Sequence, residues 1–114
     1  MRLDPIAADP VTDYDARGVT AMSLAEGLGP WTGTVLFVDA GGSLGPHETG
    51  RDQVLLVVSG TGWLEVDGVR RELGAGDAGV VSAGVRHAKG SVTGMVALVL
   101  QSPAIAVPAE RRAI

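Results

Sequence analysis

The sequence predicts an all-β domain, a jelly roll or small closed barrel. Seventeen glycines and six prolines stand among valine-rich runs in a chain of 114 residues, a composition that suits short strands and tight turns. About eight strand patterns follow one another at near-regular spacing, with no sustained amphipathic helical period. A chain of this length is expected to form one domain over residues 1–114 and to bury about two thirds of its unfolded surface.

Taken in order, residues 1–20 hold two turn signals, Asp4-Pro5 and Asp9-Pro10, and read as an extended N-terminal arm. Residues 21–27 are the one helix candidate, and Gly27, Gly29 and Pro30 end it. Residues 31–39 carry Val35, Phe37 and Val38 between Gly29-Pro30 and Gly41-Gly42, which predicts a strand. Residues 53–59 are a continuous valine and leucine run ending at Gly60, the pattern of a strand covered on both faces. Asp67-Gly68 separates residues 63–66 from 69–73 and predicts a hairpin with a type I′ turn. Short strands at 79–82 and from about His87 onward lead to a closing strand over 95–101. Residues 103–114 read as a C-terminal tail.

The formal charge is −4, and the nine Lys and Arg are scattered apart from Arg70-Arg71 and Arg111-Arg112. No basic face is available for phosphates, so nucleic acid is excluded as an expected partner. The absence of cysteine removes disulfides, thiolate metal sites and thiol nucleophiles. The first residues lack the apolar segment of a secretory signal, and the runs at 54–58 and 95–100 are too short to cross a bilayer. A cytoplasmic protein with no membrane partner is the expectation.

Two glycine-framed segments deliver the two histidines of the chain. Gly41-Gly42-Ser43-Leu44-Gly45-Pro46-His47 is followed by Thr49, Gln53 and Gly60; Gly76-Asp77 leads through Gly84 to His87. This spacing resembles the paired motifs of the cupin superfamily, in its small single-domain form. Gly41, His47 and Gly60 match the first motif, with Thr49 and Gln53 standing where a histidine and a glutamate belong. Gly76, Gly84 and His87 match the second, with Ser82 for a proline and Ser91 for an asparagine. The resemblance covers residues 41–91 and implies the double-stranded β-helix, or jelly-roll barrel, of the RmlC-like cupins.

Residues two apart on a strand share a face, so His47 and Thr49 point together and Glu48 points away. If the parity holds through the loop, Gln53 returns to the side of His47, and His87 faces them from another strand. The resemblance makes these four the metal positions, with His47, Gln53 and His87 the candidate ligands. Two imidazoles, an amide and a hydroxyl are all neutral, which favours Zn, Fe, Ni, Mn or Cu bound weakly over Mg or Ca. One reading is therefore a divalent transition metal that activates water or a chelating substrate, supporting oxidation, isomerisation or decarboxylation of a small organic molecule as in similar proteins. The other is a metal-free ligand-binding or sensory module, in which the histidines line a polar pocket.

Alternation places Thr49, Val35, Phe37, Leu55, Val57, Leu64, Ala97 and Val99 around that pocket, an apolar cup with polar groups at its mouth that suits a small molecule. Gly41-Gly42-Ser43-Leu44-Gly45 lacks the Gly-Lys-Ser/Thr of a phosphate loop. Asp77 is expected to accept from local backbone amides in a turn. Trp63, on the parity opposite Leu64, is the expected centre of a homodimer contact, a pairing that the resemblance also implies.

Overall fold

The computed structural model describes residues 8–106. All of its regular structure is β: β1 (Asp9–Pro10), β2 (Arg17–Glu26), β3 (Thr32–His47), β4 (Asp52–Val66), β5 (Val69–Gly74), β6 (Ala78–Val81), β7 (His87–Gly90) and β8 (Met95–Ser102). The jelly-roll expectation holds, and every pairing is antiparallel.

Two long strands build the barrel. The first half of β3 pairs with β2 and β8, and its second half with β7. The first half of β4 pairs with β6 and β8, and its second half with β5 and β7. One sheet is thus β2-β3-β8-β4-β6 and the other β3-β7-β4-β5, with β3 and β4 crossing from one to the other. A bulge between Val57 and Ser59 and the positive φ of Gly60, 78°, bend β4 at the crossing. Leu36, Val38, Leu44, Leu55, Val57, Leu64, Ala97 and Val99 fill the interior as one cluster.

The hairpin forms as the sequence predicts: Val66 pairs with Val69, and Asp67 and Gly68 have φ of 50° and 79°, the two positive angles of a type I′ turn. Asp77 accepts a hydrogen bond from Gly74 N at 2.9 Å, closing the turn between β5 and β6.

Three expectations need correction. Residues 21–27 are not helical; 21–26 belong to β2, whose pairing with β3 from Val19 to Glu26 outweighs the helix-forming residues Ala, Met, Leu and Glu. Of the expected N-terminal arm, Asp9–Pro10 and Arg17 to Thr20 are also strand, and residues 1–7 lie outside the described residues. Phe37 and Val35 do not face the interior. Thr34, Leu36 and Val38 pair with Val99, Ala97 and Met95 across the core face of β3 and β8, which puts Val35 and Phe37 on the outer face with Leu98 and Val96. The last residues of β8 and the start of the tail are tied to β4, where Asp52 accepts from Ile105 N at 2.9 Å and from Ala83 N at 2.8 Å; residues 107–114 lie outside the described residues.

Trp63 is half-buried. It stands over Gly90, its cross-strand partner, and the Arg70 guanidinium lies 3.6 Å above its ring, a cation–π contact. Arg70 is held there by an ion pair to Glu65 at 3.0 Å.

Candidate functional site

The strand register brings the two histidines together. His47, the last residue of β3, pairs directly with His87, the first residue of β7, and their ring centroids are 4.5 Å apart at an interplanar angle of 52°. Cross-strand partners share a face, so both rings point into the barrel. His47 is 8% exposed and His87 2%.

Each imidazole is oriented by the backbone two residues before it. His47 Nδ1 donates to the Gly45 carbonyl at 2.9 Å, and His87 Nδ1 donates to the Val85 carbonyl at 3.0 Å. A carbonyl only accepts, so each proton sits on Nδ1 and each Nε2 keeps its lone pair. His87 Nε2 is buried with no hydrogen-bond partner among the described residues. Burial holds both groups below the ordinary histidine value, with Lys89 adding to the effect, and His87 falls to about 4.

The sign of the resulting pH dependence follows. The unfolded chain takes up a proton near pH 6.5, whereas folded His87 stays neutral down to about 4, so acid favours unfolding and stability rises with pH across that window. One such group contributes a slope of up to about 1.4 kcal/mol per pH unit. Chemical denaturation at intervals between pH 4 and 6.5 is expected to show a shallower rise in His87→Asn than in the parent protein; parallel curves would place the neutral imidazole elsewhere.

His47 lines an open cavity of about 510 Å³. His47, Thr49 and Gln53 line it, together with Leu36, Leu44 and Val99 on the apolar side and Arg51, Glu48, Lys89 and Gln101 on the polar side. His87 lies behind His47. Of the other sequence-predicted pocket residues, Leu55, Val57, Leu64 and Ala97 belong to the packed core beneath the cavity, and Phe37 and Val35 are on the outer face. The Thr49 hydroxyl donates to the Arg51 carbonyl at 2.9 Å. Ser91, at the asparagine position, donates to the Thr61 carbonyl and accepts from Gly94 N at 2.7 Å, which makes it a turn-closing residue.

Sequence reasoning missed two participants. Tyr14 stacks on His47 with centroids 3.9 Å apart and planes 11° from parallel. It reaches that position through a turn in which Tyr14 and Asp15 both have positive φ, 58° and 51°, and its carbonyl accepts from Gly45 N at 2.7 Å. Lys89 is the second. It pairs with Leu64 and Leu44 on the inner face of β7, is 3% exposed, and donates from Nζ to Gln53 Oε1 at 3.2 Å. Burial pushes its amine down to about 8, so it is still an ammonium at neutral pH. Its signal was in the sequence, since Lys89 is two residues from His87 and shares its face.

Lys89 decides how well the site fits a divalent metal. The two Nε2 atoms are available donors, but the oxygen that the sequence put forward as a third ligand, Gln53 Oε1, already accepts from an ammonium. Among the described residues no three His, Cys, Asp or Glu side chains converge to hold an ion. A dication a few ångströms from a buried ammonium is repelled on the order of several kcal/mol, and among the described residues no carboxylate is ion-paired with Lys89 to offset that repulsion. The donor set does not fit a resident divalent metal.

Comparison with known proteins agrees with this architecture. The family model described as a Cupin domain (Cupin_2) matches residues 34–100. No curated protein matches the chain. Among solved structures, an RmlC-like cupin from Shewanella frigidimarina is similar at 26% identity and TM-score 0.75, covering 87% of this chain and 85% of that one. KdgF from Halomonas sp. is similar at 24% identity and TM-score 0.75, covering 87% and 89%. A predicted oxalate decarboxylase from Thermotoga maritima is similar at 17% identity and TM-score 0.73, covering 85% and 92%. With the family model spanning more than half of the sequence and β3 and β4 shared between two sheets in the jelly-roll manner, the chain belongs to the cupin family.

Proposed function

We propose that this cupin binds a small polar organic molecule in its barrel cavity and does so without a resident metal ion. The observation that carries this reading is the Lys89 ammonium on Gln53 Oε1 at 3.2 Å, a positive charge at the place where a metal would need a donor. The cavity supports it in size and character: about 510 Å³ is within the range of small-molecule sites, and an apolar wall faced by a few convergent polar groups is their usual make-up. The similar structures lend the fold and not a reaction, because fold transfers more reliably than chemistry.

Metal analysis tests the reading. Protein without an affinity tag, supplemented in turn with Mn, Fe, Ni, Zn and Cu and then dialysed, is expected to retain only trace metal. Thr49→His alone is expected to gain little zinc affinity, whereas Thr49→His combined with Lys89→Met is expected to gain markedly, since the added imidazole then meets no ammonium. Stoichiometric metal in the parent protein would overturn the proposal.

A further inference from the structure

We infer that the ligand of this cavity is a small organic carboxylate, with its anionic group seated against the Lys89 ammonium. The inference rests on the proposed small-molecule reading and adds the charge of the molecule. An ammonium has three N–H donors, and Lys89 is given one partner, the neutral oxygen of Gln53. Among the described residues no carboxylate lies within ion-pair distance of it: the described ion pair is Arg70 with Glu65, on the other side of the barrel wall. A buried cation without a counter-charge is costly to maintain, and Lys89 is 3% exposed. It nevertheless reaches the cavity wall, so an anion entering the cavity supplies the missing charge.

Two further features of the wall bear on the kind of anion. Arg51 also lines the cavity and gives a second cationic group at its side, against the single carboxylate of Glu48, so the lining carries net positive charge in a protein whose formal charge is −4. Leu36, Leu44 and Val99 form the apolar wall, which a bare inorganic anion would leave uncovered and an organic body would fill.

Calorimetry with matched pairs tests this directly. Malonate, succinate and benzoate are compared with malonamide, succinamide and benzamide, which keep nearly the same shape and lose the charge, and inorganic phosphate is added as a bare anion. At pH 7 at least one carboxylate is expected to bind tenfold or more tightly than its amide, the advantage of a charge-assisted contact over a neutral one, and more tightly than phosphate. Lys89→Met, close in length and apolar, is expected to abolish the preference for carboxylate while leaving amide binding in place. The comparison of acid with amide in the parent protein stands without any variant. Amides binding as well as carboxylates, or a preference unchanged in folded Lys89→Met, would overturn the carboxylate inference and leave small-molecule binding intact. Binding of phosphate alone would overturn the organic assignment. Silence of the whole panel would count against both readings.

Discussion

Gly60→Ala is expected to destabilise the domain far more than Gly41→Ala, although the two glycines share a φ of 78°. Both lie where a long strand crosses between sheets, and both would force alanine into the left-handed region at about 1–2 kcal/mol. They differ in surroundings. A Cβ at Gly41 meets nothing within 4 Å, whereas one at Gly60 would overlap the Gly94 carbonyl oxygen and lie 3.0 Å from Met95 Cα. Those are backbone atoms of the turn into β8 and of its first residue, so relief requires moving backbone and not a side chain, at a further cost of about 1–3 kcal/mol. Urea denaturation should give a loss of roughly 2–5 kcal/mol for Gly60→Ala. Equal losses for the two variants would mean that β8 does not begin its run tightly against this corner.

Leu64→Ala is the second large effect. Leu64 is 1% exposed, and truncation of a fully buried leucine costs about 2–5 kcal/mol, against a total of about 5–15 kcal/mol for a domain of this kind. The site feels the change because Leu64 is the cross-strand partner of Lys89. The vacated volume opens beside the buried amine, and water entering it would relieve the desolvation that now pushes Lys89 down to about 8. The measurements are urea denaturation and the pH titration of the Lys89 side chain by carbon NMR, with the amine expected to rise toward its ordinary value. A loss below about 1 kcal/mol with an unmoved titration would show that Leu64 does not shield the ammonium.

What the sequence disclosed and what it hid have separate physical causes. Local turn chemistry was legible, since Asp67-Gly68 demands two positive φ values, and the pairing of the two imidazoles could be expected from the resemblance of the two glycine-framed histidine segments to the cupin motifs. The inward residues of β3 were not legible. The run Val35-Leu36-Phe37-Val38 is apolar on both parities, and without alternation nothing fixes which side faces the core; the pairing with β8 settles it in favour of Leu36 and Val38. β2 was misread because its residues favour helix in isolation, while the edge of β3 offers backbone partners that no local pattern reveals. Tyr14 was hidden for a similar reason, since its stack on His47 depends on a tertiary approach to Gly45. Lys89 was visible by parity but overlooked, because a lysine is taken for a solvated side chain unless its neighbours are known.

The central claim is that His47, backed by His87, shares its cavity with an ammonium that turns a dication away and draws an organic anion in. Long-range nitrogen NMR of the two histidines at pH 7 tests this most directly, because the Nε2 resonances report tautomer, protonation and ligation in one spectrum. The account predicts two neutral rings protonated on Nδ1, His47 Nε2 shifts that respond to a bound carboxylate, and resonances of both rings left in place by an equimolar addition of zinc. Stoichiometric movement of both Nε2 signals on adding zinc would contradict it.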